Sequence, residues 1–493
     1  MARYRKNQHK TTKSGTMLSI VFVCIFAIAA FVFWQAQSAV TILGKEYKTD
    51  TTELDLSNSD FGSEPSEVAD LGRFIKLERL DLRNTQIGIE DFESIRKMYP
   101  SCEILWSVPM GGEKISSIKK SLSIGNLDTS EFYKLKYFPL LETVDASGCD
   151  DYEAILRLVS EYEEISFKWT VKLLGLTFDS DAEEIEIKGK KIDNPEDITN
   201  ALKYLPNVKA AGIYSCNLSH EQMYKLQEQT KGCTFSWDFK LSGVTVKTNA
   251  KTVDMKQKRI TDLDAFREGL RHFTGLEKID MCGCGLSNKT MESLIAEFPK
   301  TKFVWRVYMG KWSLRTDTTY FSTKNFARNK DPKGYRLTND DIQVLKYCTD
   351  LEALDLGHNN ISDITVIGTL TKLQILILAD CRISDISPIA NLKDLYYLEL
   401  FMNNIKDISP LAGLTNLLDL NYCHNYATDL TPLNNLPKLE RLWCSYNGIS
   451  AAKVNAFKKS HPDCNVQSAL YWSTGNGWRT HKRYYEMIKK LHM

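Results

Sequence analysis

The chain has 493 residues, of which 43% are hydrophobic and 25% are charged, and its formal net charge is +1. This balance is typical of a soluble protein and offers no bulk attraction for nucleic acid or anionic lipid. We therefore expect no nucleic-acid partner. The basic residues are unevenly placed, because residues 1–16 contain five of them and no acidic residue.

An apolar segment follows this basic start. Residues 17–34 (MLSIVFVCIFAIAAFVFW) carry no charge, and about 20 apolar residues in a helix span the hydrocarbon layer of a membrane. Charge before the span and not after it predicts a single-pass cell-membrane protein. Its parts are a cytoplasmic tail at 1–16, a transmembrane signal anchor at 17–39 that contacts the lipid bilayer, and an extracellular remainder. Ala36 and Ser38 also fit a cleaved signal peptide, which would make the protein secreted.

A 22-residue repeat fills the chain from about residue 350 to 450. Its copies begin at residues 350, 372, 394, 416 and 438. Leu354 and Leu356 are two residues apart and so lie on one face of a strand, where a single repeat cannot bury them. An asparagine recurs three residues after the second strand position, where the chain turns and its backbone groups need partners. These residues are Asn359, Asn403, Asn425 and Asn447.

The unit reads L-x-x-L-x-L-x-x-N-x-[IL]-x-D-[IL]-x-P-L, and it resembles the leucine-rich-repeat family in the 22-residue form that bacterial internalins use. The resemblance implies an α/β fold, a leucine-rich-repeat solenoid with a curved parallel sheet and with helices and irregular segments on its convex side. It also implies a non-catalytic role in binding through the concave face. It names no ligand.

A longer composite repeat of about 68 residues precedes the regular one. Each copy contains three strand patterns separated by helical patterns. The third strand carries Trp106, Trp169, Trp237 or Trp305, which we expect in the core. We therefore divide the exported chain into composite repeats (40–306), a junction insertion that breaks the rhythm (307–337), regular repeats (338–464) and a C-terminal cap (465–493).

Twelve cysteines are scattered along the chain and do not form a disulfide framework. In the stretch LEKIDMCGCGL, Cys284 stands where the regular repeats have asparagine, and Cys149, Cys216 and Cys381 stand at the same offset. Leucine-rich repeats accept Asn or Cys at that position. Cys284 is therefore predicted to be structural, whereas Cys282 and Cys423 should point to the concave side.

Motifs that carry catalysis are missing from the sequence. It contains no H-E-x-x-H, G-x-S-x-G or phosphate-binding loop. We predict that the protein is not an enzyme and needs no cofactor or metal. One alternative is an envelope enzyme with a thiol site in the concave groove, formed by Cys423 or Cys282 beside His424 or His358. Another is a structural envelope protein that self-associates; the oligomeric state is not indicated.

The strand positions between the leucines predict a ligand site on the concave face. Exposed aromatic patches mark contact surfaces, so we expect an extracellular protein, peptide or glycan to bind there. The predicted site consists of Ile377, Tyr397, Phe401, Met402, Asn421, His424, Trp443 and Tyr446.

The C-terminal cap gives this patch a second interpretation. Tyr484, Ile488 and Leu491 fall on one helical face, and Arg483, Lys489 and Lys490 lie off it. The cap covers the open end of the solenoid, or it folds over the aromatic patch. Its basic residues could instead contact wall polymers or lipid head groups.

Overall fold

The computed structural model of the protein describes residues 39–323 and 334–493. The predicted anchor at 17–39 lies outside this range except for Ala39, which opens the first strand. Within the described ranges, no helix is long and apolar enough to cross a membrane. The chain forms two compact units, Met1–Ser236 and Trp237–Met493.

The first unit consists of short strands that alternate with helices. Its strands are Ala39–Ile42, Lys45–Lys48, Glu53–Asp55, Arg79–Leu82, Glu103–Met110, Glu113–Ser116, Ser121–Ser123, Thr143–Asp145, Ser166–Lys168, Thr170–Leu173, Leu176–Asp179, Glu184–Lys188 and Ala210–Tyr214. Its helices are Pro65–Leu71, Ile89–Met98, Tyr152–Glu161, Glu196–Leu202 and His220–Gln229, with a 3-10 helix at Thr129–Tyr137. The strand Thr234–Leu241 crosses the boundary between the units.

The second unit begins with one composite repeat and continues with regular repeats. Its strands are Val244–Lys247, Thr252–Asp254, Lys278–Asp280, Lys302–Val304, Arg306–Met309, Trp312–Arg315, Tyr320–Ser322, Ala353–Asp355, Ile375–Ile377, Tyr397–Glu399, Asp419–Asn421, Arg441–Trp443 and Asn465–Gln467. Its α-helices are Leu263–Leu270, Asn288–Glu297, Ala451–Ser460 and Lys482–Leu491. Among its described residues, 3-10 helices lie at Asp341–Tyr347, Thr365–Thr369, Ser387–Asn391, Ser409–Gly413, Thr431–Leu433 and Trp478–Thr480.

The regular repeats form one seven-stranded parallel sheet from Tyr320–Ser322 to Asn465–Gln467. The second strand residue of each repeat aligns with its neighbour, as in Leu376↔Leu398 and Leu398↔Leu420. These leucines are fully buried in one continuous core together with the apolar residues of the return segments. Stacking therefore buries what a single repeat leaves exposed, as the sequence predicts.

The asparagines form the ladder that the sequence predicts. The Asn403 side-chain amide donates to the carbonyls of Leu378 (2.8 Å) and Leu400 (2.9 Å), and its oxygen accepts from the Ile383 N–H (3.0 Å). Asn425 and Asn447 repeat this arrangement. Each asparagine thus bonds to buried backbone groups of its own turn and of the neighbouring repeat.

Cysteine substitutes for asparagine at this position. The Cys284 thiol is buried and donates to the Met255 carbonyl at 3.1 Å, and burial raises the pKa of this thiol to about 11. Cys381 is likewise buried, 3.5 Å from the Leu356 carbonyl. The structural role predicted for Cys284 is confirmed.

A β-hairpin after each strand tryptophan was not predicted. The Trp169 N–H donates to the Ser180 hydroxyl (3.1 Å), and the Ser180 N–H donates to the Trp169 carbonyl (2.9 Å). Trp106, Trp237 and Trp305 bond in the same way to Ser117, Thr248 and Thr316. All four indoles are buried, as expected. Glycines with positive φ, such as Gly175 and Gly243, form the turns.

These hairpins change the interpretation of the junction at 307–337. Arg306–Met309 pairs antiparallel with Trp312–Arg315, so this part continues the composite rhythm and does not break it. Tyr320–Ser322 then pairs in parallel with Ala353–Asp355 and opens the sheet of the regular repeats. Residues 324–333 of the predicted insertion lie outside the described residues.

Candidate recognition surface

The C-terminal segment packs across the strand face that the leucine core leaves open. We call residues 468–493 the strap, and the sheet face beneath it the groove. Trp478, Met487 and Leu491 of the strap are buried in a second apolar core with strand residues such as Tyr397 and Trp443. Strand side chains of alternating direction therefore enter two cores, one on each side of the sheet.

A buried carboxylate fixes the strap helix to the sheet. Asp419 accepts paired hydrogen bonds from Arg483 of the strap, at 2.7 and 2.8 Å, and from Arg441 of the next strand, at 2.5 and 2.8 Å. Burial favours the neutral acid, but the two guanidinium groups prevail and hold the pKa of Asp419 below its usual value. Arg483 also pairs with Glu440 at 2.7 Å. Contrary to the sequence-based expectation, Arg483 is therefore on the docked face of the helix.

A second polar contact lies beneath the strap. The buried Glu399 carboxylate accepts hydrogen bonds from the Tyr397 hydroxyl and from the Trp478 indole N–H, the latter at 2.7 Å. The Trp478 ring packs against Tyr397 and Trp443, with centroids 5.6 and 5.1 Å away. Burial raises the pKa of Glu399 because the hydrogen-bond donors that reach it are neutral.

A small cavity of about 50 Å³ separates the strap from the first strands of the groove. Asp355, Glu399 and Arg479 are among its lining residues. Asp355 accepts from the Ser322 hydroxyl (2.7 Å) and the Gly357 N–H (2.9 Å), and burial raises its pKa. A cavity of this size has room for a water molecule or two.

The strap divides the predicted ligand site into covered and exposed parts. Ile377, Tyr397, Phe401, Asn421 and Trp443 are buried. They do not form an exposed patch, because the strap packs on them, and Asn421 and Trp443 donate to the Ser473 and Gly475 carbonyls at 2.9 Å. For these five residues the alternative interpretation is therefore the correct one, namely that the C-terminal cap folds over the aromatic patch. Met402 and Tyr446 are exposed by 46% and 53%, and His424 is half-buried.

The exposed part follows the edge of the sheet where the strands end. Met402, His424 and Tyr446 share left-handed backbone angles at the same place in successive repeats. The N–H groups of Met402 and His424 extend the ladder between strands, to the Cys423 and Ser445 carbonyls at 2.9 Å. The His424 and Tyr446 rings stack with centroids 4.0 Å apart. Because each turn is fixed by its neighbours, these side chains form an ordered row.

Two aromatic residues of the strap add to this row. The Leu470 N–H donates to the Ser445 hydroxyl at 2.9 Å, so the strap begins beside the residue that precedes Tyr446. Tyr471 and Trp472 follow, exposed by 80% and 63%, and their rings meet edge to face with centroids 4.7 Å apart. Met402, His424, Tyr446, Tyr471 and Trp472 are called the aromatic rim below. Tyr471 and Trp472 were not included in the site predicted from the sequence, although two adjacent aromatic residues in a polar segment could have indicated them.

A cleft on the first unit is a further surface that the sequence did not indicate. Its volume is about 450 Å³, and it crosses the strands at Ser121–Ser123, Thr143–Asp145 and Ser166–Lys168. The outward residues of these strands are small or polar. A search for aromatic residues overlooks such a face.

The thiols of the enzyme alternative are not activated. Burial raises the pKa of Cys423 to about 12, and the His424 ring stacks on Tyr446. Burial and the neighbouring Asp280 raise the pKa of Cys282 to about 11, although its sulfur lies 3.4 Å from an Arg315 nitrogen. A nucleophilic thiol needs the opposite shift. In the described part of the chain, no cluster of His, Cys, Asp and Glu could hold a metal ion.

Comparisons with known proteins agree with the repeat geometry. Residues 371–413 match the family described as Leucine Rich repeats (2 copies). No curated protein matches the chain. An internalin C2 structure from Listeria monocytogenes is similar at 32% identity over 29% of this chain and 73% of that one, with a TM-score of 0.23.

Two further structures are similar over longer stretches at lower identity. An internalin (inlF) from L. monocytogenes is 18% identical over 69% of this chain and 83% of its own, with a TM-score of 0.26. A leucine-rich-repeat protein from Leptospira interrogans is 13% identical over 85% and 96%, with a TM-score of 0.25.

The parallel strands, the asparagine ladder and the matched family define the chain as a leucine-rich-repeat protein. Proteins with such repeats generally mediate protein binding. The 22-residue register of its regular half is the internalin-like form of this repeat.

Proposed function

We propose that this protein is a membrane-anchored, extracellular recognition module that binds a protein, peptide or glycan without catalysis. The aromatic rim is the proposed contact surface. The observation that carries the proposal is the exposure of Tyr446, Tyr471 and Trp472, beside the point where the Leu470 N–H of the strap bonds to the Ser445 hydroxyl. Exposed aromatic side chains are the residue type that dominates binding energy at interfaces.

The rim fits recognition better than the groove does. In the docked state the groove is filled by the strap, so Tyr397, Phe401 and Trp443 offer no surface to a ligand. The rim adds polar groups beside its rings, since His358 bonds to Asp380 at 2.8 Å in the two preceding repeats. A mixed row of aromatic and polar side chains suits a partner with both apolar and hydrogen-bonding groups.

The location follows from residues 1–39. A basic start, an uncharged apolar segment and an acidic excess after them support a signal anchor with a cytoplasmic N-terminus. A protease-accessibility assay on intact cells, with epitope tags at both ends, tests this orientation. We expect the C-terminal tag alone to be removed. Loss of both tags, or of neither, contradicts the proposed topology.

The binding proposal is tested by capture from cell-surface and culture material with the full chain. The test variant carries Tyr446→Ala and Trp472→Ala, and the matched control carries Tyr308→Ala, a still more exposed tyrosine on a hairpin outside the rim. We expect a partner that the control retains and the double variant loses at least tenfold. Equal capture by all three chains excludes the rim. A partner that proves to be a second copy of the chain supports the self-association alternative instead.

A further inference from the structure

We infer that the strap is an internal occupant of a helix-binding groove, and that a basic amphipathic helix supplied in trans competes with it for that groove. The strap is then an autoinhibitory segment. This inference concerns the groove beneath the strap and does not depend on the aromatic rim.

The groove has more acidic than basic residues, although the buried Arg441 lies beside Asp419 in it. Asp355, Glu399 and Asp419 point from three strands of the sheet toward the strap, and all three are buried. Glu352 and Glu440 lie at its border. Carboxylates alone are weak evidence for a binding site, but here the strap helix is already bound to the groove through Asp419. A groove with this charge favours a cationic occupant.

Basic residues of the strap neutralise part of this negative charge. Arg483 makes a bidentate pair with Asp419 and contacts Glu440 at 2.7 Å. Lys490 pairs with Glu352 at 2.9 Å and donates to Gln374 at 2.8 Å. On the same helix, Met487 and Leu491 fill apolar space on the sheet. The docking face therefore combines cations and apolar residues on one side of a helix, which is the usual form of helix-in-groove recognition.

The remaining carboxylates have no bonded cation from the strap. Glu399 accepts from Tyr397 and Trp478, and Asp355 accepts from Ser322 and Gly357. Both acids line the cavity of about 50 Å³ that the strap leaves unfilled. Covering two carboxylates with neutral donors costs free energy of desolvation. Arg479 of the strap lines the same cavity but bonds to neither acid. A helix that placed a guanidinium or ammonium group within bonding distance of them would fit the groove better than the strap does.

The strap is attached in a way that permits exchange. Its helix has ten residues, Lys482–Leu491, a length that is marginal without packing. Asn476 and Gly477, which precede the helical part, have left-handed backbone angles. Beyond Gln467, side-chain contacts and not strand pairing hold the strap on the sheet. Its advantage over a free helix is that it is tethered, which corresponds to an effective concentration on the order of millimolar.

The test uses the full chain and a fluorescent synthetic peptide with the sequence of residues 468–493. Three chains are compared: the natural one, Arg483→Gln, which weakens the strap but leaves the groove intact, and Lys482→Gln, an exposed neighbour that serves as the control. Because the strap competes with the peptide, we expect the Arg483→Gln chain to bind it at least tenfold more tightly than the other two. A peptide carrying Arg483→Gln should bind that chain at least tenfold more weakly.

Each outcome decides the matter. Equal peptide affinity for all three chains, or no binding to an Arg483→Gln chain that still melts cooperatively, overturns the inference. A Tyr446→Ala substitution in the Arg483→Gln chain should leave the peptide affinity within a factor of two. A larger loss would place the peptide on the rim and also overturns it. Limited proteolysis gives a second measurement, since added peptide should expose the natural strap to cleavage.

Discussion

Arg483 and Asp419 lie 64 residues apart in the sequence and form a bidentate pair at 2.7 and 2.8 Å. Their side chains are 8% and 0% exposed. This pair joins the last helix to the middle of the parallel sheet. It explains why the aromatic residues of the groove are buried although they stand at strand positions that face away from the leucine core.

Removal of this pair should release the strap before the repeats unfold. Arg483→Gln leaves Asp419 bonded to Arg441 but removes two charge-assisted hydrogen bonds and the contact with Glu440, a loss on the order of 3 kcal/mol. Hydrogen exchange of the strap amides should accelerate accordingly, while exchange in the leucine strands stays slow. The inference of a docked strap fails if both regions accelerate together. Lys482→Gln should change neither.

The buried Glu399 should make the docked strap less stable as pH rises. Its pKa is raised by burial, so its contribution is fully present below the unfolded value of about 4.3 and is lost as pH rises through the folded pKa. Asp355 acts in the same direction, and Asp419, whose pKa is lowered, opposes it only in acid. Glu399→Gln keeps the acceptor for Tyr397 and Trp478 but does not titrate. In the variant we expect a flatter dependence of strap protection on pH above about 4; an unchanged dependence contradicts this role.

The asparagine ladder should be costly to interrupt. Asn403→Ala leaves the Leu378 carbonyl and the Ile383 N–H without partners, at about 1–3 kcal/mol for each buried group, whereas the Leu400 carbonyl keeps its bond from Asn425. We expect chemical denaturation to report a loss of about 2 kcal/mol or more. The exposed neighbour provides the control, because Asn404→Ala should stay within about 0.5 kcal/mol. Similar losses in the two variants would assign the cost to the turn and not to the ladder.

The raised thiol pKa values predict slow alkylation. Cys423 and Cys282 have pKa values of about 12 and about 11 and are buried, so few of their thiols are ionised at pH 8. Mass spectrometry after iodoacetamide treatment should find both residues unmodified in the native protein and fully modified after denaturation. Rapid native modification of Cys423 would revive the interpretation as a thiol enzyme.

Much of the repeat architecture could be predicted because each repeat imposes the same constraint. Leucine pairs two residues apart, an asparagine or cysteine at a fixed offset and a 22-residue period leave one consistent arrangement, since each unit must be buried by its neighbours. The hairpins were missed because four-residue strands such as Thr170–Leu173 carry too little pattern. A serine or threonine eleven residues after each tryptophan was the available signal.

The covering of the predicted site by the strap could not be deduced from the sequence. The alternation of residues along a strand shows to which side of the sheet each side chain points, but it does not show what packs on that side. Tyr397 and Trp443 point away from the leucine core in either interpretation, and only the fold brings Trp478 and Arg483 to them. Glu399, Asp419 and Arg441 were an indication that this face is covered, because charged residues stand among the aromatic ones at the same strand positions. Such residues become buried when they are paired, as Asp419 is with Arg441.

Hydroxyl-radical footprinting of the intact chain, read by mass spectrometry, tests most directly whether the strap covers the groove and leaves the rim open. We expect Tyr446, Tyr471 and Trp472 to be oxidised rapidly, and Tyr397, Trp443 and Trp478 to be protected until the protein unfolds. Oxidation of Trp443 and Trp478 in the native protein at the rate of Trp472 would contradict the docked strap. The whole aromatic face of the sheet would then be accessible to a ligand.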